Sequence, residues 1–475
     1  MILLRFLFYS TLLQVSLCLT GQEVTSYTFE IEIRKQIKAE KYTFEVPENR
    51  NDPDSRLISL SFVRLATRSD NPANPIVYLA GGPGGSGTGA MKGRRWKLFD
   101  SLRNIADVII FDQRGTGLSS PLPRCVSGLS IHEDSATTRD YYVKQHQRAA
   151  EQCVAFWEKE GVDLYGYTTW ESAADIEELR KVLGVDKVSL LGISYGTHLA
   201  LATLKRYPDR IDRLLLASAE GLDQTVKLPS RTDAYLDRLQ QAIDKDPEAK
   251  AAYPDIRKLL GSVLEQVEEN PRSMLVDDDP EFRHTFGKFE MQRITSYMLS
   301  DPGLAASVLE GYLDASKGNF SWFRNYLDWY VRDNTISFDG MALAMDLASG
   351  ISDQRLEQVN EEARTALLGD AVNFPMPHLR NLLPDLDLGK EYRRPVESGH
   401  PILFISGTLD GRTYPEAHEA LAKNHKNSST VTIENAGHNL FFSHPELPGI
   451  IREFFEGETI KSTVLEADLP SFVPD

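Results

Sequence analysis

Cysteine is scarce in this chain, with three among 475 residues. That scarcity excludes a small disulfide-stapled scaffold, and neither Cys125 nor Cys153 has the spacing of a zinc or redox site. The ten histidines include no H-E-x-x-H or similar ligand pattern, so neither a metal nor a cofactor is expected. Basic residues are outnumbered, 52 against 69 acidic ones, and the net charge of -17 argues against nucleic acid or an anionic membrane as partner, since both need clustered Lys and Arg. There is no internal repeat and no low-complexity segment. A composition of 41% hydrophobic and 25% charged residues excludes disordered and collagen-like classes.

At this length the chain is two or three units, or one large domain with an insertion. Residues 1–20 hold one basic residue, Arg5, then an apolar stretch broken by polar residues, then small residues near Thr20 and Gly21. This reads as a secretory signal peptide, and the protein is expected to be exported, periplasmic or secreted. A membrane anchor is the alternative, weakened because the apolar run is short and interrupted. Lipidation at Cys18 is disfavoured by the bulky Leu17 before it. Without the leader two cysteines remain, and Cys125 and Cys153 are either bridged or two free buried thiols.

Residues 25–65 alternate apolar and polar in several places, as antiparallel strands with one wet face do. From residue 76 the pattern changes to continuous apolar runs at 76–80, 107–111, 188–191, 214–217, 402–405 and 431–433, the signature of strands buried on both faces. Helical spacing lies between several of them. Residues 171–183 place Ile176, Leu179 and Leu183 on one face, with Gly184 to end the helix. The fold class is therefore α/β, with a mostly parallel sheet and helices on both faces. Between about residues 222 and 395 strand runs stop and helical patterns take over, with Leu356, Val359, Ala363 and Leu367 on one face and aromatics clustered around Trp322. The expected organisation is a leader at 1–20, a core at 21–221, a helical cap insertion at 222–395 and the rest of the core at 396–475. The aromatic group is expected to form cap core rather than a substrate wall.

Chemistry concentrates at strand ends. Gly192-Ile-Ser194-Tyr-Gly196 joins a strand run to a helical run, the pattern of a nucleophile elbow, in which crowding demands glycine two residues either side of a strained, exposed serine. Five glycines crowd residues 81–87 after the first buried run, where a bare backbone can approach a substrate. No Lys-Ser or Lys-Thr follows, so this is not a phosphate loop. It reads as half of an oxyanion hole, with Gly82 N–H as one donor and Tyr195 N–H as the other. The loop 112–119 reads as structural, with Asp112 and Arg114 expected to pair with each other. Asp410 and His438 follow the late strand runs, on the edge expected to carry Ser194, and give the chain order Ser, Asp, His. His438 would take the Ser194 proton and Asp410 would orient the imidazole.

Together the motifs GGPGGSG, DQRGTGLS, GISYGT, GTLDGRT and AGHN resemble those of the proline iminopeptidase and tripeptidyl-aminopeptidase branch of the α/β-hydrolases, over roughly residues 40–455. Ala80 stands where many iminopeptidases have histidine, and Thr413-Tyr414-Pro415 loosens a Thr-Pro pair seen in many relatives. The resemblance implies an α/β-hydrolase fold with a helical cap and a serine exopeptidase releasing amino-terminal residues or short peptides through an acyl-enzyme. It also implies acidic residues that bind the substrate's free amino terminus, for which Asp353 and Glu220 are the candidates. The other reading of Asp353 is a helix-capping acid in a first turn. The partner is thus a small peptide, with no membrane involved beyond export. A carboxylic-ester hydrolase and a non-catalytic binding protein of the same fold are the rival readings.

Overall fold

The structure is a computed structural model that describes residues 22–32, 35–93, 95–131, 138–275, 283–330 and 335–474. The expected leader lies outside the described residues. Ten strands form the main sheet: β1 (Glu23–Glu32), β2 (Lys35–Pro47), β3 (Leu57–Leu65), β4 (Ile76–Leu79), β5 (Val108–Asp112), β6 (Val188–Ile193), β7 (Ile211–Ala217), β8 (Ile402–Gly407), β9 (Ser428–Glu434) and β10 (Thr463–Glu466). Their spatial order is β1-β2-β3-β5-β4-β6-β7-β8-β9-β10. The pairs β1/β2, β2/β3 and β3/β5 are antiparallel, and every pair from β5/β4 onward is parallel. The switch falls where the sequence changes from alternating to continuous apolar runs.

Those continuous runs divide between two cores. Val77, Leu79, Leu190, Leu214, Leu216, Ile402 and Phe404 face one hydrophobic cluster, while their neighbours Ile76, Tyr78, Leu191, Leu215, Ala217, Leu403 and Ile405 face the other. Side chains alternate across a strand, so a run apolar at every position fills both sides of the sheet. Helices cover both faces. On one lie α1 (Arg139–Lys159), α2 (Thr169–Leu183) and α3 (Tyr195–Arg206), which supply Ala150, Cys153, Trp157, Ile176, Leu179 and Leu199 to that cluster. Thr168 caps the start of α2 by accepting from Glu171 N–H, and Gly184 at φ 68° ends it.

The described residues between β7 and β8 contribute no strand to this sheet. Helices Pro229–Ile243, Ile256–Glu269, Lys288–Met298 and Pro302–Ser316 build a third cluster, which includes Phe323 and gathers Leu409, Tyr414 and Phe472 from the second half of the core. Trp322 stacks on Tyr326 and meets Phe323 edge-on at this cluster. The helix α4 (Gly340–Ser349) behaves differently: Met341, Leu343, Ala344, Met345, Leu347 and Ala348 belong to the sheet-face cluster with α1 to α3. Gly340 permits this docking, because a Cβ there would lie 2.8 Å from the Trp157 ring. The next helix, α5 (Asp353–Glu362), stops five residues short of the spacing read from the sequence; Leu367 instead packs against the third cluster. Cys125 and Cys153 form a disulfide that ties the short strand Cys125–Val126 to α1.

The loop after β5 corrects one expectation. Asp112 and Arg114 do not pair. Asp112 accepts from the Ser86 hydroxyl (2.9 Å), the Thr88 N–H (2.9 Å) and hydroxyl (2.6 Å), and the Leu118 N–H (2.8 Å), so it pins the glycine loop. Arg114 is fully buried and donates to both oxygens of Asp175 and to the carbonyls of Glu48 and Gly166. Nothing local encodes this, since Asp175 lies 61 residues away.

Candidate active site

Three strand ends carry the residues expected to act together. Strand β6 delivers the serine at φ 55°, a left-handed conformation that costs a non-glycine residue about 1–3 kcal/mol. Its N–H donates to the Ala217 carbonyl at 3.0 Å, and its own carbonyl accepts the Thr197 hydroxyl at 2.6 Å. The flanking glycines are required by space: a Cβ on Gly192 would lie 2.6 Å from the Gly196 carbonyl oxygen, and one on Gly196 would overlap the Leu79 carbonyl. A Cβ on Gly81 would lie 3.0 Å from the Ser194 Cβ, which shows how closely the glycine loop approaches the serine. Tyr195 is the first residue of α3, and neither its N–H nor that of Gly82 donates to any described residue.

Strand β8 delivers Asp410 and strand β9 delivers His438. His438 Nδ1 lies 3.0 and 3.1 Å from the two Asp410 oxygens. Asp410 is fully buried and also accepts from the N–H groups of Arg412 and Thr413, both at 2.8 Å, and from the Thr413 hydroxyl at 2.7 Å. Burial pushes its carboxyl upward, but the charge and hydrogen bond of His438 and the Thr413 donors outweigh this and hold it well below the usual carboxylate range. The His438 backbone is fixed by its N–H to the Ser300 carbonyl (2.8 Å) and by its carbonyl to the Ser218 hydroxyl (3.0 Å). Ser218 follows Ala217, so the end of β7 anchors both Ser194 and His438. Ser194 Oγ makes no hydrogen bond to His438 among the described residues.

Ser194 and Gly82 border a cavity of about 170 Å³ whose apolar wall includes Val226, Ile351, Phe374 and Met376. Phe374 is braced from behind by the Arg293 guanidinium, 4.4 Å over its ring, and by His146 edge-on at 4.5 Å. A wider hollow of about 740 Å³, lined by Arg139 and Phe289, touches neither Ser194 nor His438. Among the described residues no group of three or more His, Cys, Asp or Glu is placed to hold a metal ion.

Four charged residues that the sequence did not single out border the same cavity: Lys227, Asp346, Arg380 and Arg412. Lys227 Nζ donates to Glu220 at 2.6 Å and to the carbonyls of Gln224 and Thr225. Glu220 therefore does border the cavity, but already holds a cation; its N–H is tied to the elbow through the Thr197 hydroxyl at 2.8 Å. Asp353 corrects the sequence reading, because its side chain is 91% exposed and it does not border the cavity. It occupies the first turn of α5 behind the Ser352 cap and pairs with Arg380 at 2.9 Å. A second acid facing the cavity beside Glu220 is Asp346 on α4, whose carboxyl makes no hydrogen bond to any described residue. Burial, reinforced by the charge of Glu220 and opposed by that of Lys227, raises its carboxyl to about 7. One signal for it was present in the sequence, a lone acid in the apolar segment Gly340–Ser349.

Residues 74–445 match the sequence profile of the alpha/beta hydrolase fold. The chain belongs to that family. Among curated relatives of this α/β hydrolase, the tripeptidyl aminopeptidase of Streptomyces lividans is 30% identical over 220 residues, 44% of this chain and 39% of that protein. The serine protease Hip1 of Mycobacterium tuberculosis (strain ATCC 25618 / H37Rv) is 28% identical over 183 residues, 37% of this chain and 34% of that protein. The proline iminopeptidase of Xylella fastidiosa (strain Temecula1 / ATCC 700964) is 31% identical over 147 residues, 31% of this chain and 33% of that protein. The chain thus spans well under half the length of each, and the hydrolase is related to peptidases over part of its length.

Proposed function

We propose that this α/β hydrolase is a serine exopeptidase that removes amino-terminal residues from short peptides. Ser194 Oγ attacks the carbonyl carbon of the scissile bond while His438 Nε2 takes its proton, with Asp410 holding the imidazole and stabilising its cation. The Gly82 and Tyr195 N–H groups receive the oxyanion. His438 returns the proton to the departing amine, leaving an acyl-serine. Water, deprotonated by His438, then releases the acid and restores Ser194. In this reading the Ser194–His438 hydrogen bond forms in the substrate-bound geometry.

The observation that carries the peptidase reading is Asp346, whose carboxyl has no hydrogen bond or ion pair among the described residues and which borders the same cavity as Ser194. A substrate ammonium would supply a partner, and the fixed distance from Asp346 to Ser194 would select the amino-terminal peptide bond. Glu220, already paired with Lys227, would add to the local negative potential without being the primary partner. The disulfide supports export, since such bonds persist in oxidising compartments.

A panel of aminoacyl and tripeptidyl amides beside simple esters tests the reading. Amide cleavage that requires a free amino group is the expected result. Turnover of esters with no cleavage of any amide would sink the peptidase reading and leave an esterase of the same fold. Failure of Ser194 to react with a fluorophosphonate would favour a non-catalytic protein.

A further inference from the structure

Charges around the cavity sort into satisfied and unsatisfied ones. Glu220 pairs with Lys227, and Asp353 pairs with Arg380. Among the described residues Asp346 and Arg412 have no ion pair, and the Arg412 guanidinium donates to none of them. Arg412 is half-buried and its position is set by its own N–H, which donates to Asp410 Oδ1, so its side chain starts two residues from the acid that orients His438. Asp410 cannot serve as its counterion, because His438, Thr413 and two backbone amides already occupy both oxygens. Arg380 also has donor capacity to spare: its Nη2 serves Asp353, while its Nη1 is buried without a hydrogen-bond partner.

A partly desolvated guanidinium without a counterion is costly, and its planar fork matches a carboxylate. Among the described residues the cavity offers one acid and one base without an ion pair, in about 170 Å³, below the roughly 300–1,000 Å³ of sites for drug-sized ligands. We propose that Arg412, aided by Arg380, receives the carboxyl-terminal carboxylate of the substrate, so that the natural substrate is a di- or tripeptide zwitterion held at both ends. This rests on the exopeptidase reading and narrows its substrate class. Arg412 makes no bond to the reacting atoms; it sets specificity.

The test compares kcat/KM of the full-length protein for di- and tripeptides as free acids and as carboxyl-terminal amides, with cleavage read by product chromatography. The free acids are expected to be favoured by about tenfold to a hundredfold, chiefly in KM, the range of a charge-assisted hydrogen bond. Arg412→Ala is expected to bring the acid-to-amide ratio to about one, and Arg412→Lys to restore part of it. Equal cleavage of acids and amides by the parent enzyme would overturn this inference while leaving the exopeptidase reading intact. An equal loss on acids and amides in Arg412→Ala would overturn it in favour of a structural role. A preference that follows an acidic side chain on an amidated peptide would also overturn it, by moving the anion off the chain end. Absence of any peptide cleavage would overturn both readings. The parent ratio needs no variant, so the test survives a substitution that fails to fold.

Discussion

Asp346 makes the most specific statement at the scale of single residues. With its carboxyl raised to about 7 by burial and by Glu220, it is half protonated near neutral pH, and a protonated acid cannot hold an ammonium. KM for peptides with a free amino terminus is therefore expected to fall as pH rises through about 7, and this limb is expected to vanish in Asp346→Asn; KM measured across pH 5 to 9 for both proteins checks it. The same shift has a stability sign. A carboxyl whose folded value lies above its unfolded value of about 3.9 stabilises the fold below that value and loses the contribution as pH rises through about 7. The Tm of Asp346→Asn minus that of the parent is accordingly expected to grow between pH 4 and pH 8. At Thr197 the hydroxyl donates to the Ser194 carbonyl and accepts from Glu220 N–H. Thr197→Val keeps the shape and removes both bonds, and is expected to lower kcat by about tenfold, the equivalent of one hydrogen bond at about 1.4 kcal/mol, with fluorophosphonate labelling slowed in parallel.

Secondary-structure elements explain what the sequence made legible. The elbow between β6 and α3 was readable because its glycines answer a local clash, and the same clash predicts that Gly196→Ala prevents folding or displaces Ser194. Loss of soluble protein, or soluble protein that resists fluorophosphonate, is the expected result, and a fully reactive Gly196→Ala would contradict it. Asp410 and His438 were readable because each follows a strand run directly, so chain order stood in for spatial order. The antiparallel-to-parallel switch was readable from alternation giving way to continuous runs. Apart from Glu220, the cavity's other charged groups were not, because Lys227, Asp346, Arg380 and Arg412 come from four separate segments that the fold brings together. Asp353 misled for the complementary reason. Its local pattern, an acid behind a serine at a helix start, has a complete local explanation, and the surface is where the structure leaves it. Arg114 misled because a short separation from Asp112 suggested a pair, while the turn after β5 sends the guanidinium to Asp175 on α2.

For the whole molecule, the disulfide closes a loop of 28 residues, which in the chain-entropy description stabilises the fold by about 3.5 kcal/mol. A Cys125→Ala/Cys153→Ala double variant is expected to lose about that much in denaturant unfolding while keeping its peptide selectivity, since neither sulfur borders the cavity. The long-range field of the protein is strongly negative, with a net charge of -17. The pairing of Lys227 with Glu220 makes the cavity different. Once Asp346 is ionised above about pH 7, three acids, Glu220, Asp346 and the Asp353 that holds Arg380, stand against three bases, Lys227, Arg380 and Arg412. The site is close to neutral inside an acidic molecule, so a zwitterionic peptide arrives without electrostatic guidance and without a barrier. Its kcat/KM should then change little between low and high ionic strength, whereas a peptide with extra negative charge should be captured faster as added salt shortens the screening length.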